Sequence, residues 1–470
     1  IEKNRGILQL AGCIDSQKAH VIYGLGQEKK NRLVIAENEL KAKELYEDYR
    51  LYDAETLYYP AKDLIFYQAD IHGNLLIRQR LQVIQALLER KEVTIITSVG
   101  GWMDFLLPLG VFEKHCIHLR NDSELDLDKI RKELVRLGYE STFQVESTGQ
   151  FSVRGGILDI YPLTEQNPIR IELWGDEIDS IRSFDAESQR SIENLEEITI
   201  YPASELILTE DTIARGVKAI KKEAKAQSTK FRDKIMTEEA ARIRHAAEEI
   251  CDQIGEGEIL QGAEQYLHYF YPETVSFLEY LPENSRIFLD EPNRIIECAD
   301  ALEAEFQESV SHRLEKGYLL PGQAKLMCST AEFVAKLNRR GCVAVSLMEP
   351  QKGEWNIRDE FGVTVKSVNS YNNQFPLLVK DLKSWKKAGY RIVLASPSRT
   401  RAQHLAEDLQ NEEIPAFYSE NEERVLKPGE VMLIHGAARR GFEYPMQKFV
   451  LITETDIFGK EKKKNRKKSE

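Results

Sequence analysis

FSVRGGILDIYPLTEQNPIRIELWGDEIDSIRSFD, residues 151–185, alternates apolar and polar side chains through two runs, Gly156 to Pro162 and Ile169 to Trp174. Pro162 ends the first run, Thr164 to Pro168 is turn-like, and Gly175-Asp176-Glu177 closes the second. A period of two between turn residues predicts a β-hairpin or meander, which Ile178 to Phe184 extends. In this reading Ile157, Ile171, Leu173 and Ile181 face a core, while Arg154, Arg170 and Trp174 face outward. Arginine beside a large aromatic is the composition of an interface anchor. The pattern by itself favours a blander reading, with solvated edge-strand arginines and a core tryptophan.

Bulk properties narrow the surroundings of this stretch. At 470 residues the chain is too long for one core, and about three domains are expected. Hydrophobic content of 42% with 30% charged residues is that of a soluble globular protein rather than a disordered one. No run approaches the ~18–20 apolar residues of a membrane span, and Ile1 to Leu10 has no signal-peptide core. The chain begins at Ile rather than Met, which predicts a processed or trimmed chain. Its six cysteines are scattered without a CxxC pair, so reduced thiols and a cytoplasmic location are expected. Net charge is −13, and the last twelve residues, GKEKKKNRKKSE, hold seven basic and two acidic side chains, which leaves −18 on residues 1–458. So acidic a body is a poor non-specific DNA binder, because DNA affinity comes mainly from neutralising phosphates.

Residues 1–118 alternate strand and helix patterns, which predicts a parallel sheet with flanking helices. Ala19 to Gly26 reads as a first strand, Arg32 to Ala36 as a second, and Glu37 to Tyr49 as a helix. Thr56 to Pro60 is a short strand, Leu75 to Leu88 an amphipathic helix, and Val93 to Ser98 a buried strand turning at Gly100-Gly101. Residues 119–208 form an inserted α+β unit that contains the opening stretch, and helix-rich residues 209–350 rejoin the first sheet. Residues 361–455 read as a smaller α/β domain and 456–470 as a basic linker.

A nucleotide-binding fold places its phosphate loop after the first strand. That loop needs GxxxxGK[ST], because glycines let backbone N–H groups approach phosphates, Lys reaches the β/γ oxygens, and Ser/Thr holds magnesium. Gly24-Leu25-Gly26-Gln27-Glu28-Lys29-Lys30 lacks the second glycine and the hydroxyl, and Glu28 adds negative charge. Lys29 and Lys30 cannot replace the missing nest of amides, so no ATP hydrolysis is expected. Ser285 to Pro292 has the form of a strand ending in Asp290-Glu291, as a magnesium-holding Walker B strand does. Without a phosphate loop these acids read as solvated, or as caps of the next helix. His115-Cys116-x-His118 is the one tempting metal cluster. It lacks a second ligand pair at zinc spacing, so no metal is expected.

VRGGILDIYP, IRIELWGDEIDSIRSFD and LEEITIYPASE together resemble the insertion domain shared by the excision-repair protein UvrB and the bacterial transcription-repair coupling factor (Mfd) family. SYNNQFPLLVKDLKSWKKAGYRIVLASPSRTRAQHLAEDL and FVLITETDIFG again resemble Mfd. The degenerate loop speaks against UvrB, which needs it intact. The resemblance implies a discontinuous, degenerate helicase-like (UvrB-like) α/β domain, interrupted by a UvrA-docking domain and followed by a smaller α/β domain. It implies that Arg154, Arg170 and Trp174 lie on the UvrA contact, with Trp174 standing where relatives carry another aromatic. It further implies that the motor, with its ATP and magnesium, lies in a C-terminal part not in this chain, as do the contacts with RNA polymerase and DNA. In the resting full-length protein the UvrA surface would be masked by an autoinhibitory contact. The other reading is an enzyme, a UvrB- or helicase-like DNA-dependent ATPase. On the adaptor reading, Arg154→Ala or Arg170→Glu would weaken UvrA binding while leaving the thermal midpoint nearly unchanged.

Overall fold

The computed structural model describes residues 6–29, 31–62, 73–255, 263–349, 353–421 and 424–459. The first strand, β1 (Ile7–Ala11), turns through Gly12 into helix α1 (Asp15–Gly26). Gly12 has φ +86°, and a Cβ there would lie 2.4 Å from the Val363 carbonyl oxygen, so the turn requires glycine. Ala19 to Gly26, expected as a strand, is therefore the second half of a helix. Ala19, Ile22 and Gly26 are buried at helical spacing, and a short apolar run cannot be told from a buried helix by periodicity alone.

The chain continues through β2 (Asn31–Ala36), α2 (Glu39–Tyr49), β3 (Leu57–Tyr59), α3 (Gly73–Leu88) and β4 (Val93–Ser98). Asn38 starts α2 by accepting a hydrogen bond from the Lys41 N–H, which satisfies one of the orphan donors of a helix N-terminus. Gly100 and Gly101, expected as a turn, lie in α4 (Val99–Met103), a short helix capped by Ser98. A further short helix, α5 (Leu109–Lys114), leads out of the sheet.

The insertion opens on β5 (Ile117–Arg120) and α6 (Leu127–Arg136). It then runs through β6 (Glu140–Ser141), β7 (Gln150–Arg154), β8 (Ile157–Ile160), β9 (Ile169–Trp174), β10 (Glu177–Phe184), β11 (Ser191–Leu195) and β12 (Glu197–Ile200). Six of these form one sheet in the order β11-β10-β9-β8-β7-β6, while β12 pairs antiparallel with β5. The two ends of the insertion are thus neighbouring strands. Its sheet buries Phe151, Leu158, Ile160, Ile169, Ile171 and Ile181 against α6 and its loops. Each fully buried side chain of this size contributes ~1.5–3 kcal/mol.

Two long helices, α7 (Glu210–Asp233) and α8 (Thr237–Gly255), and the short α9 (Leu267–Phe270) bring the chain back. It re-enters the first sheet as β13 (Arg286–Asp290), followed by α10 (Pro292–Glu315), α11 (Thr330–Arg340), β14 (Cys342–Ser346) and β15 (Ile357–Gly362). The seven strands are all parallel, in the order β15-β1-β14-β13-β2-β4-β3. Phe361 and Gly362 therefore lie in the edge strand of this sheet. Arg80 of α3, fully buried, reaches Asp104 at 3.2 Å and Glu205 at 2.8 Å, so the end of the insertion is tied to the frame by charge.

The remaining elements are β16 (Lys366–Ser367), α12 (Phe375–Lys387), β17 (Arg391–Ser396), α13 (Arg399–Asn411), β18 (Ala416–Tyr418), β19 (Val431–His435), β20 (Phe442–Tyr444), β21 (Phe449–Thr453) and α14 (Glu454–Phe458). Their sheet, ordered β16-β20-β21-β17-β19-β18, is centred on three parallel strands. It docks on α1 and α2. Arg439 donates from Nε and Nη2 to Asp48 at 3.0 and 2.8 Å, and Gln17 Nε2 donates to the Tyr444 hydroxyl at 2.8 Å. His20 packs among Tyr52, Phe442, Tyr444 and Phe449, and this burial lowers its pKa from 6.5 to about 4. Among the described residues no helix is long and apolar enough to cross a membrane.

Candidate functional site

Strand register decides which side chains share a face. Asp159 of β8 stands opposite Ser152 on one side and Arg170 on the other, and Arg170 stands opposite Arg182. One step along, Arg154, Ile157 and Glu172 form the next row, and Trp174 pairs with Glu177 at the hairpin tip. Arg154, Arg170 and Trp174 therefore share the outer face, as the alternation predicts. Ile157 does not belong to the core face assigned to it. It lies between Arg154 and Glu172, because the turn at Gly155-Gly156 sets the register that the sequence leaves open.

The three residues sit in different environments. Trp174 is 84% exposed, so the core reading of this tryptophan is excluded. Arg170 is largely covered. Its Nε and Nη2 donate to the Asp159 carboxylate at 2.7 and 2.8 Å, Nη2 also donates to Gln189 Oε1 at 2.9 Å, and its guanidinium lies 4.4 Å from the Phe184 ring centre. The hydrogen bonds to Asp159 hold the Arg170 pKa above that of a free arginine. Arg154, with 40% of its side chain exposed, donates from Nη2 to Asp159 at 3.2 Å and lies 5.7 Å from the Phe143 ring. Phe143 is itself 83% exposed. Glu172 and Arg182 pair across β9 and β10 beside them. Asp159, 1% exposed, is the centre of the arrangement and was not singled out from the sequence. The signal available was a polar residue inside an apolar strand run.

The nucleotide-loop residues fall elsewhere than expected. Gly24 and Gly26 belong to the last turn of α1, neither has a positive φ, and Lys29 lies in the turn after the helix. Lys30 lies outside the described residues. The strand-to-helix turn, where a phosphate loop would stand, is Gly12 to Ala19. Gly12-Cys13-Ile14-Asp15-Ser16-Gln17-Lys18-Ala19 has the GxxxxGK[ST] spacing, with Gln17 in place of the second glycine and Ala19 in place of the hydroxyl. Reading Ala19 to Gly26 as the first strand, rather than Ile7 to Ala11, hides this match.

Lys18, 2% exposed, reaches Asp290 at 2.7 Å, Glu291 at 2.7 Å and Asp15 at 3.0 Å. Asp290 is therefore not solvated, and Glu291, though it stands at the N-cap position of α10, gives its side chain to Lys18 rather than to a capping hydrogen bond. Asp290 is buried at the end of β13, while Glu291 has φ +57° and accepts from Lys18 and the Leu347 N–H. Burial disfavours the Lys18 ammonium, but the two carboxylates outweigh it and hold its pKa above that of an ordinary lysine. Gln17, where amide N–H groups would face a phosphate, turns its side chain to Tyr444.

Other constellations are structural. His115 Nδ1 meets the Val111 carbonyl oxygen and His118 Nδ1 the Thr199 hydroxyl. No group of three metal-binding side chains occurs among the described residues. In the small sheet, the Ser398 hydroxyl caps α13. A cleft of about 430 Å³ at its N-terminus is lined by Glu454, whose carboxylate already pairs with Arg401.

A discontinuous parallel sheet carrying a separate, mostly antiparallel sheet with this outer face is a UvrB-like architecture, and residues 117–206 match the UvrB interaction domain family. Over nearly its whole length the chain is similar to transcription-repair-coupling factors. It is 32% identical to that of Bacillus subtilis (strain 168) across 97% of this chain and 39% of that protein. It is 30% identical to that of Staphylococcus aureus (strain USA300) across 94% of this chain and 37% of that protein, and 27% identical to that of Staphylococcus haemolyticus over the same shares. The chain is thus similar to these transcription-repair-coupling factors over nearly all of its own length, and spans 37–39% of the length of the relatives it matches.

Proposed function

We propose that this chain is an adaptor in transcription-coupled nucleotide excision repair, and that the outer face of β7 to β10 docks UvrA. The observation that carries this reading is Trp174, a large aromatic 84% exposed, beside arginines fixed on a buried carboxylate within a UvrB interaction domain. A rigid aromatic next to oriented guanidinium groups is how a few residues come to dominate an interface. The Gly12–Ala19 turn supports the second half of the proposal, that this region holds neither ATP nor magnesium. Lys18 has three carboxylates of its own, and phosphate would have to compete with them. This stands against the ATPase reading. RNA polymerase, DNA and nucleotide are left to other parts of a longer, cytoplasmic protein, which in its resting form covers the docking face.

The test is titration of UvrA against wild type, Arg154→Ala and Trp174→Ala. Each variant is expected to weaken binding by ~2–4 kcal/mol, about 30- to 1,000-fold, as interface anchors do. Thermal midpoints should stay within about a degree, because neither side chain is buried. Wild-type affinity in both variants would refute the docking assignment.

A further inference from the structure

Asp159 is a fully buried carboxylate on the solvent-facing side of a sheet, where burial of a charge is costly unless it is paired and hydrogen-bonded. Three guanidinium N–H groups supply that pairing. Arg170 donates to both oxygens in the bidentate geometry that fixes a guanidinium plane, and Arg154 adds a third bond at 3.2 Å. The two arginines are not equivalent. Arg170 is held on four sides, by two bonds to Asp159, by Gln189 Oε1 at 2.9 Å and by the Phe184 ring. Gln189 is fixed in turn, its backbone N–H donating to the Asp185 carbonyl and its side-chain amide to that of Ala186. Arg154 spends one nitrogen on Asp159. Its Nε and Nη1 have no hydrogen-bond partner among the described residues, and its side chain is 40% exposed next to the open ring of Phe143.

We infer that Asp159 is the positioning residue of the docking face, with Arg170 as the bracket that locks it and Arg154 as the arginine that reaches the partner. This rests on the docking reading above and adds a division of roles to it. The partner group that fits is a carboxylate: Nη2 carries two hydrogens and Asp159 takes one, so the other can pair with a free Nη1–H or Nε–H in a bidentate contact. With Asp159 in place the guanidinium is pre-oriented, and association does not have to freeze a long side chain.

The test uses the whole chain and purified UvrA. Asp159→Asn keeps the size of the side chain and removes its charge. It is expected to raise the UvrA dissociation constant on the order of tenfold, the effect of freeing one or two interface side chains. In the Arg154→Ala background the same change should cost about twofold or less, because the residue it positions is gone. The Arg170 Nε–Hε resonance is expected to be sharp and protected from water exchange in the wild type, and to broaden or vanish in Asp159→Asn. A purely structural role predicts instead a lowered thermal midpoint and an equal loss in both backgrounds, and that result overturns the inference. If Arg154→Ala loses affinity while Asp159→Asn does not, the docking reading survives and the positioning role falls. If Arg154→Ala itself binds as wild type, the docking reading falls first. Should Asp159→Asn fail to fold, Gln189→Ala loosens the same bracket from the surface. An expected loss of about threefold supports the role, and unchanged affinity ends it.

Discussion

Lys18 and Arg170 each sit on a buried carboxylate at 2.7 Å, yet one cluster is closed and the other open. Around Lys18 the cation is outnumbered. Asp15, Asp290 and Glu291 surround one ammonium that is 2% exposed. Around Asp159 the count is reversed, with two guanidinium groups on one carboxylate and one of them half in solvent. A charged site with a surplus of internal partners has nothing to offer a ligand. One with a shortage retains a directed charge at the surface. On the proposed reading, the comparison explains how one chain can hold a closed loop where a nucleotide would sit and an open docking face built from the same chemistry.

The largest expected effect separates the two clusters on stability. Lys18→Met leaves buried Asp290 beside half-buried Glu291 without their cation, and should lower unfolding free energy by ~3–5 kcal/mol. Urea denaturation measures this, while UvrA affinity of the folded variant should not change. A mild effect would mean that the cluster is wetter than its burial implies, and the contrast would be lost. Next comes Arg170→Ala, which deprives Asp159 of its bidentate partner and is expected to cost ~1–3 kcal/mol of stability in addition to binding. Here the structure revises the sequence expectation. Arg170→Glu would put a second carboxylate beside a buried one, so its thermal midpoint cannot stay near wild type. Arg154→Ala should, and the difference between the two arginines in a thermal scan sharpens the comparison.

The smallest effect concerns the contact that backs the closed cluster. His20 is neutral in the folded protein because burial sets its pKa at about 4, whereas the unfolded chain takes up the proton near 6.5. Stability from this residue is therefore present above pH 6.5 and is lost as the pH falls toward 4. The groups that meet His20 are the Tyr444 hydroxyl at 3.1 Å and the rings of Tyr52, Phe442 and Phe449, none of which supplies an anion. Limited proteolysis across that range should show the small sheet leaving α1 and α2 as the pH drops, and His20→Phe should flatten the response. Unchanged cleavage between pH 6.5 and 4 would count against the histidine.

Much of this was legible from local pattern. The outward row of Arg154, Arg170 and Trp174 follows from a period of two, and strand–helix alternation predicts the parallel sheet. What was not legible depends on partners distant in sequence. Lys18 lies 273 residues from Glu291, and Ala19 to Gly26 reads as a strand until α1 is seen to pack it as a helix. Asp159 could be noticed as a polar interruption, but its role depends on a cross-strand register fixed at Gly155-Gly156, where a one-residue slip would send it to the other face. Ile157 was assigned to the wrong face for the same reason.

The pairing of β5 with β12 has a consequence for how such a chain could arise. Since the inserted unit leaves its host through adjacent strands, it can be cut out and joined to another carrier by a short link without disturbing either sheet. On the proposed reading, a portable cassette of this kind would let one recognition surface be inherited separately from the rest of its carrier.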